Sequence, residues 1–96
     1  MLNKKLDYGL VLIERLKAAN GAYLDAKKIA GEHSLPPSYM EKVAQEFKRG
    51  GWLLSRRGSG GGYKLLKEEA SAADVISFFE RPYKICPINR IVKNKL

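Results

Sequence analysis

The chain has 96 residues, 45% of them hydrophobic, which suits a single globular domain with one modest core. Its one cysteine excludes an internal disulfide bond, and no apolar run approaches the roughly 20 residues that cross a bilayer. The net charge of +8 at pH 7 favours a polyanionic partner such as nucleic acid, although a need for solubility would account for the charge equally well.

The positive charge is concentrated in two segments of the chain. Residues 51–67 contain four basic residues and no acidic one, and residues 85–96 contain three basic residues and no acidic one. Positive charge clustered on a small domain is the electrostatic signature of nucleic-acid binding. The first residues lack the apolar run and cleavage site of a secretory signal, so we expect a cytoplasmic protein. With DNA as its partner, it would associate with the nucleoid.

Two helices are predicted in the first third of the chain. Residues 4–19 carry apolar side chains at three- and four-residue spacing, which forms one face of a helix, and an Asn-Gly pair at 20–21 stops it. Residues 23–24 are a short extended segment. Asp25 follows as the N-cap of a second helix over residues 26–33, because its side chain can accept a hydrogen bond from the free amides of a first turn.

A third helix gives the clearest periodic signal. It is predicted to begin at Pro37, because a proline in the first helical position sacrifices no hydrogen bond, and to end at the glycine pair 50–51. Its apolar residues fall at i, i+3, i+4 and i+7, and they are Met40, Val43, Ala44 and Phe47. The opposite face is polar.

A β-hairpin and a fourth helix complete the predicted order. Two β-type runs, residues 52–56 and 63–66, flank a glycine-rich loop and therefore indicate a hairpin. Ser71 and Asp74 have the spacing of a capping box, which opens a helix over residues 72–80. The predicted inner face of that helix consists of Ala73, Val75, Ile76 and Phe79.

The order of helix, helix, helix, hairpin and helix predicts a mainly α fold with a small β-hairpin (α+β), a winged helix-turn-helix. We expect residues 1–82 to form this DNA-binding domain and residues 83–96 to form a short basic C-terminal tail. In a helix-turn-helix the second helix of the pair enters the major groove, and its N-terminal residues reach base edges.

The polar face of the third helix supplies candidate base and phosphate contacts. They are Ser38, Tyr39, Glu41, Lys42 and Gln45. A glutamate can accept from a cytosine amine, a lysine can donate to guanine, and a tyrosine can contact phosphate or a thymine methyl group. An ordinary solvated helix face carries the same kinds of residue, so the pattern by itself leaves both interpretations open.

The hairpin tip supplies a second set of candidates. Arg57 lies directly against the glycines, so a narrow loop can present it to the minor groove, whereas Arg56 is expected to contact phosphate or to pack over a neighbour. Ser59, Tyr63 and Lys64 complete the predicted DNA-binding residues of the wing. The glycine density would also suit a flexible loop without a ligand.

Five short stretches carry a family resemblance. They are Tyr8-Gly9-Leu10, Ala26-Lys27-Lys28-Ile29-Ala30, Pro37-Ser38-Tyr39-Met40-Glu41-Lys42, Arg57-Gly58-Ser59-Gly60-Gly61-Gly62-Tyr63 and Ala73-Asp74-Val75-Ile76. Together they resemble the Rrf-two family of bacterial winged-helix transcriptional regulators, which includes IscR, NsrR and CymR. The resemblance covers roughly residues 3–80, and the combination of the wing motif with the third helix makes it specific.

The resemblance implies a homodimeric transcriptional regulator, and we expect a repressor. It also implies that Ser38, Tyr39, Glu41 and Lys42 lie in the major groove and Arg57 in the minor groove. Iron–sulfur members of the family hold a cluster with three cysteines after the fourth helix. This sequence has one cysteine there, so we expect no cofactor. It also ends where the family usually continues into a long dimerisation helix. Dimerisation would then rest on the first helix and the tail.

Three other functions are alternatives to DNA binding. The glycine loop fits neither common phosphate-binding motif, and one histidine and one cysteine far apart are poor material for nucleophilic catalysis, so we expect no enzyme and no metal site. Cys86 lies near Lys84, which would favour its thiolate and a redox-sensing role, although an inert thiol is the simpler interpretation. A shortened family member could also serve as a protein-interaction module without DNA binding.

Overall fold

The computed structural model describes residues 4–80, and both Cys86 and the predicted tail at 83–96 lie outside these described residues. The elements follow in the order α1 (Lys4–Ala18), α2 (Ala26–Glu32), α3 (Pro37–Arg49), β1 (Leu53–Arg56), β2 (Gly62–Leu65) and α4 (Ala72–Glu80). This arrangement confirms the predicted fold class, a mainly helical winged helix with a β-hairpin. The predicted ends of these helices and strands lie within one residue of the observed ones.

Local side-chain chemistry fixes where the helices begin. The Asp25 carboxylate accepts a 2.9 Å hydrogen bond from the Lys27 amide and caps α2, and α3 begins with Pro37 at its first position. At α4 the predicted capping box is present: the Ser71 amide donates to Asp74 Oδ2 at 2.8 Å, and the Asp74 amide donates to Ser71 Oγ at 3.2 Å. The Ser71 hydroxyl also donates to Asp74 Oδ2, at 3.1 Å, and the two bonds that Oδ2 accepts from Ser71 lower the pKa of the Asp74 carboxyl below its ordinary value.

The core is centred on Phe47 of α3, whose side chain is fully buried. Its ring stacks on Phe78 with the centroids 4.9 Å apart and meets Phe79 edge-on at 5.1 Å, while Trp52 lies at 5.0 Å. Ring pairs in this range of distance and tilt add to the stabilisation that burial alone provides. The aromatic cluster therefore attaches α4 to α3 and to the start of the hairpin.

The inner face predicted for α4 was partly wrong. Val75 is buried and Phe79 packs against Phe47, as predicted, and Ile76 is half-buried. Ala73 is exposed instead, and Phe78, which was not predicted to face inward, also turns toward Phe47. Val75, Phe78 and Phe79 have the i, i+3 and i+4 spacing of one helical face. The two large rings remove more apolar surface from water than a methyl group does, so they determine which face packs inward.

The hairpin is antiparallel, and its register pairs Ser55 with Tyr63 and Arg56 with Gly62. A third backbone segment joins it, because Leu24 and Tyr63 exchange two hydrogen bonds of 2.8 and 2.7 Å. Gly62 makes this approach possible. A Cβ atom at that position would lie 2.2 Å from the Leu24 carbonyl oxygen, and the φ angle of +132° is one that other residues rarely adopt.

The helices between residues 4 and 80 include none that is both long enough and apolar enough to cross a membrane. The same part of the chain contains no group of three or more histidine, cysteine, aspartate or glutamate side chains placed to hold a metal ion.

Candidate nucleic-acid interface

A polar cleft of about 400 Å³ lies between α3 and the loop that joins β1 to β2, and we call it the α3–wing cleft. The α3 side presents one acid, one amide and one base, the wing side presents two arginines, and a tyrosine lies between them. These residues are Glu41, Gln45, Lys48, Arg56, Arg57 and Tyr63. The fold therefore brings residues of both predicted DNA-binding segments to one surface.

The beginning of α3 exposes part of the predicted set. Ser38 and Lys42 are exposed, so their side chains can reach a ligand without rearrangement of the fold. Tyr39 is half-buried, and its ring meets that of Tyr8 edge-on with the centroids 4.9 Å apart. Tyr39 consequently helps to attach α3 to α1, while Ser38 and Lys42 have the freer placement on the surface.

Tyr63, which was predicted to be a DNA-binding residue of the wing, is buried in the core. Only 4% of the residue is exposed, because its ring packs within the hydrophobic cluster beneath the cleft. Its hydroxyl donates a 2.6 Å hydrogen bond to Glu41 Oε2 and accepts a 2.6 Å hydrogen bond from Gln45 Nε2. Burial, followed by the interaction with the Glu41 carboxylate, raises the pKa of the Tyr63 hydroxyl to about 12.

Glu41 and Gln45 are thus connected to the wing through one hydroxyl. Both side chains are half-buried, and both were predicted only as outward-facing DNA contacts. Hydrogen bonds of 2.6 Å that involve a carboxylate are short and strong. The geometry gives the two α3 residues a defined orientation before any ligand is present.

Arg56 packs over a neighbour, one of the two alternatives predicted for it. Its guanidinium carbon lies 4.2 Å from the centroid of the Tyr23 ring, and its Nη2 donates a 3.1 Å hydrogen bond to the Gly60 carbonyl. Lys64 places its ammonium 5.8 Å from the same ring. Tyr23 is therefore a support for the wing, and the sequence offered no sign of it because this contact exists only once the hairpin folds back.

Arg57 has a different environment from Arg56. Its side chain is exposed and forms no hydrogen bond or ion pair with another residue of the segment 4–80. Ser59 is exposed in the same loop, which is closed by a 2.9 Å hydrogen bond from the Gly61 amide to the Gly58 carbonyl. The loop therefore presents the Arg57 guanidinium at the edge of the α3–wing cleft, where a ligand can bind it.

Lys48 also lines the α3–wing cleft, although it is not among the predicted DNA-binding residues. It is exposed on α3 and lies on the same face as Gln45 and Glu41, three and seven residues before it. Helical periodicity could have found it, because the spacing continues the polar face by one further turn. Its ammonium adds positive charge to the α3 side of the α3–wing cleft.

A protein-family comparison supports a regulatory role for this architecture. The Rrf2 model (the Rrf-two family), described as an iron-dependent transcriptional regulator, matches residues 2–95. A protein of Aquifex aeolicus (strain VF5), named as an HTH-type transcriptional regulator, is 29% identical over 79 residues, which cover 80% of this chain and 55% of the relative. The chain thus spans about half the length of that curated relative.

Solved structures of regulators have the same fold. The structure of T. potens IscR is similar with a TM-score of 0.71 and 27% identity, over 81% of this chain and 59% of that one. CymR of B. subtilis, a global cysteine regulator, is similar with a TM-score of 0.70 and 29% identity, over 100% of this chain and 74% of that one. The structure of Staphylococcus aureus CymR is similar with a TM-score of 0.66 and 35% identity, over 79% of this chain and 65% of that one. These relatives are regulators rather than enzymes, which agrees with the prediction that the chain is not an enzyme.

The residues of this sequence do not fit an iron–sulfur cluster. Such a cluster needs several thiolate or imidazole ligands, and the sequence has one cysteine and one histidine. The histidine, His33, is exposed at the C-terminal end of α2, and no metal-binding group of acids, cysteines or histidines accompanies it within residues 4–80. The iron dependence named for the family therefore has no counterpart in the described side chains.

Proposed function

This chain belongs to the Rrf2 family of transcriptional regulators, and from that premise we propose that it binds duplex DNA and represses transcription. In this proposal α3 enters the major groove and the hairpin loop enters the minor groove. Residues 1–82 form the DNA-binding domain and residues 83–96 form a basic tail. The protein acts as a homodimer in the cytoplasm, on the nucleoid.

One observation carries the proposal: exposed cations border the α3–wing cleft on both sides. Lys48 lines the cleft from α3 and Arg57 lines it from the wing, and both residues are exposed. Lys42 is a further exposed cation on α3. Contacts with phosphates supply most of the affinity in protein–DNA complexes, and they fix the register of the protein on the duplex. Cations on both walls suit a sugar–phosphate backbone that passes between the two elements.

The proposal assigns base reading to α3. An α-helix fits the major groove of B-form DNA, where every base pair has its own pattern of donors and acceptors. The residues proposed to contact DNA are Ser38, Tyr39, Glu41, Lys42 and Gln45 from α3, together with Arg56, Arg57, Ser59 and Lys64 from the wing.

The wing supplies the second contact in this proposal. Arg56 stacks on Tyr23 and donates a hydrogen bond to the Gly60 carbonyl, and these contacts stabilise the conformation of the loop. Arg57 is exposed at the tip and inserts into the minor groove, where the potential is most negative over A·T-rich steps. A homodimer would present two such units and bind a site with two half-sites about one helical turn apart.

Salt dependence of binding to duplex DNA tests this function. With about four phosphate contacts, the affinity for a duplex should fall roughly 100-fold between about 50 and 200 mM salt. Selection from a random-sequence duplex library should then enrich a two-fold symmetric site. The solution mass, measured with and without that site, should correspond to two chains per duplex. Absence of duplex binding at low salt would contradict the proposal and favour a protein-interaction module.

A further inference from the structure

We propose that Tyr63 is a positioning residue for base recognition: it fixes the carboxylate of Glu41, and thereby sets a base preference without touching DNA. The inference rests on the proposed function, because it requires α3 to lie in the major groove. It extends that function by naming a residue of the wing strand that controls what the recognition helix reads.

The direction of the hydrogen bonds supports this role. Gln45 donates to the Tyr63 hydroxyl, so the single proton of that hydroxyl is committed to Glu41. Both distances are 2.6 Å, and the two α3 residues lie one helical turn apart on the same face. One hydroxyl therefore orients two side chains of the recognition helix.

Tyr63 is itself held firmly. The residue is buried in the core, and its backbone amide and carbonyl both bond to Leu24 at 2.7 and 2.8 Å. It also lies in β2 opposite Ser55. Because both the backbone and the ring of Tyr63 are held in place, its hydroxyl has a fixed position. A group must have a fixed position to orient another side chain.

Glu41 keeps one oxygen for the ligand. Tyr63 binds Oε2, and Oε1 has no hydrogen bond to any residue of the described segment 4–80. A fixed carboxylate can accept from the amine of cytosine, and it repels a site that offers only acceptors at that position. Release of Glu41 from Tyr63 would let the carboxylate turn away, and both the attraction and the repulsion would weaken.

The test compares base preference among four proteins: wild type, Tyr63→Phe, Glu41→Ala and the double variant. Each is measured against the duplex selected by the wild type and against the same duplex with every base pair changed in turn. Tyr63→Phe keeps the buried ring and removes only the hydroxyl. Tyr8→Phe is the matched control, because Tyr8 is a buried tyrosine whose hydroxyl forms no hydrogen bond with the other residues between 4 and 80.

The expected result is a loss of discrimination, about tenfold, at one position of the site. Tyr63→Phe and Glu41→Ala should lose it at the same position, the double variant should lose no more than Glu41→Ala, and Tyr8→Phe should keep it. A merely structural role for Tyr63 would instead weaken binding to all duplexes alike.

Two results overturn the inference in different ways. If the wild type discriminates between bases and Tyr63→Phe keeps the whole preference, or loses affinity uniformly, the positioning role is wrong while the proposed function stands. If the wild type has no sequence preference on any duplex, the proposed function itself fails and the inference fails with it.

Discussion

The Tyr63 hydroxyl and the Glu41 carboxylate, 22 residues apart in the chain, are joined by a 2.6 Å hydrogen bond between β2 and α3. The bond links the wing to the helix that carries half of the predicted DNA contacts. Sequence signals predict β2 and α3 separately. The hydrogen bond between Tyr63 and Glu41 helps to fix how these two elements are oriented toward each other. The interaction with Glu41 also contributes to the raised pKa of the Tyr63 hydroxyl.

The raised pKa of Tyr63 predicts a specific sensitivity to alkali. A tyrosine in the unfolded chain ionises near 10.0, whereas the folded chain holds the pKa of Tyr63 at about 12. The folded state therefore binds this proton more tightly, so its stabilisation is complete below pH 10 and is lost as the pH rises from 10 to 12. Denaturant unfolding at about pH 9 and about pH 11 should show a larger loss of stability for wild type than for Tyr63→Phe.

The comparison with Tyr63→Phe is needed because lysines also titrate in this range. An equal loss of stability in both proteins would show that the Tyr63 hydroxyl ionises as it does in water. Tyrosinate absorbance gives an independent measurement, since Tyr63 should ionise late in wild type and that late component should be absent in Tyr63→Phe.

Gly62→Ala is expected to destabilise the fold and to detach the wing from residue 24. The φ angle of +132° is unfavourable for alanine, and the new Cβ would lie 2.2 Å from the Leu24 carbonyl oxygen. We expect a loss of about 2 kcal/mol or more in the free energy of unfolding, measured by denaturant titration. Gly31→Ala is the matched control: it lies within α2 with open space around it, so the substitution should be neutral or slightly stabilising. Equal effects of the two substitutions would contradict the close approach.

Tyr23→Leu is expected to loosen the wing. It removes the ring under the Arg56 guanidinium, a contact at 4.2 Å that contributes about 0.5–1 kcal/mol at exposed sites. Amide hydrogen exchange in the loop at residues 58–61 should become faster, while Tyr23→Phe, which keeps an aromatic ring, should leave it nearly unchanged. If leucine and phenylalanine at this position behave alike, the stacking contact does not order the loop.

Arg57→Ala is expected to weaken binding to the selected duplex by about 1–3 kcal/mol if the guanidinium enters the minor groove. Stability should not change, because the side chain is exposed and makes no hydrogen bond or ion pair within the described part of the chain. Lys17→Ala removes the same charge from the end of α1, beside α4 and away from the α3–wing cleft, and serves as the control. Similar losses for both variants would indicate a general charge effect, and unchanged affinity for Arg57→Ala would remove the wing tip from the mechanism.

The helices, the hairpin and their caps could be predicted because their signals are local. Asp25 caps α2 through an amide two residues away, and Ser71 and Asp74 bond to each other across three residues. Such contacts depend on a few neighbouring residues, so the sequence alone was sufficient to give both the order of the elements and the winged-helix fold.

The contacts between these elements are visible only in the tertiary structure. Tyr63 has the same sequence signal as any aromatic residue in a strand, and only the packing of β2 against α3 and residue 24 buries its ring and aims its hydroxyl at Glu41. The support of Arg56 by Tyr23 and the inward turn of Phe78 likewise arise between distant segments. Sequence periodicity identifies a buried face, but steric fit between non-local elements selects the partner, and that partner determines whether a polar residue is a surface contact or a fixed support.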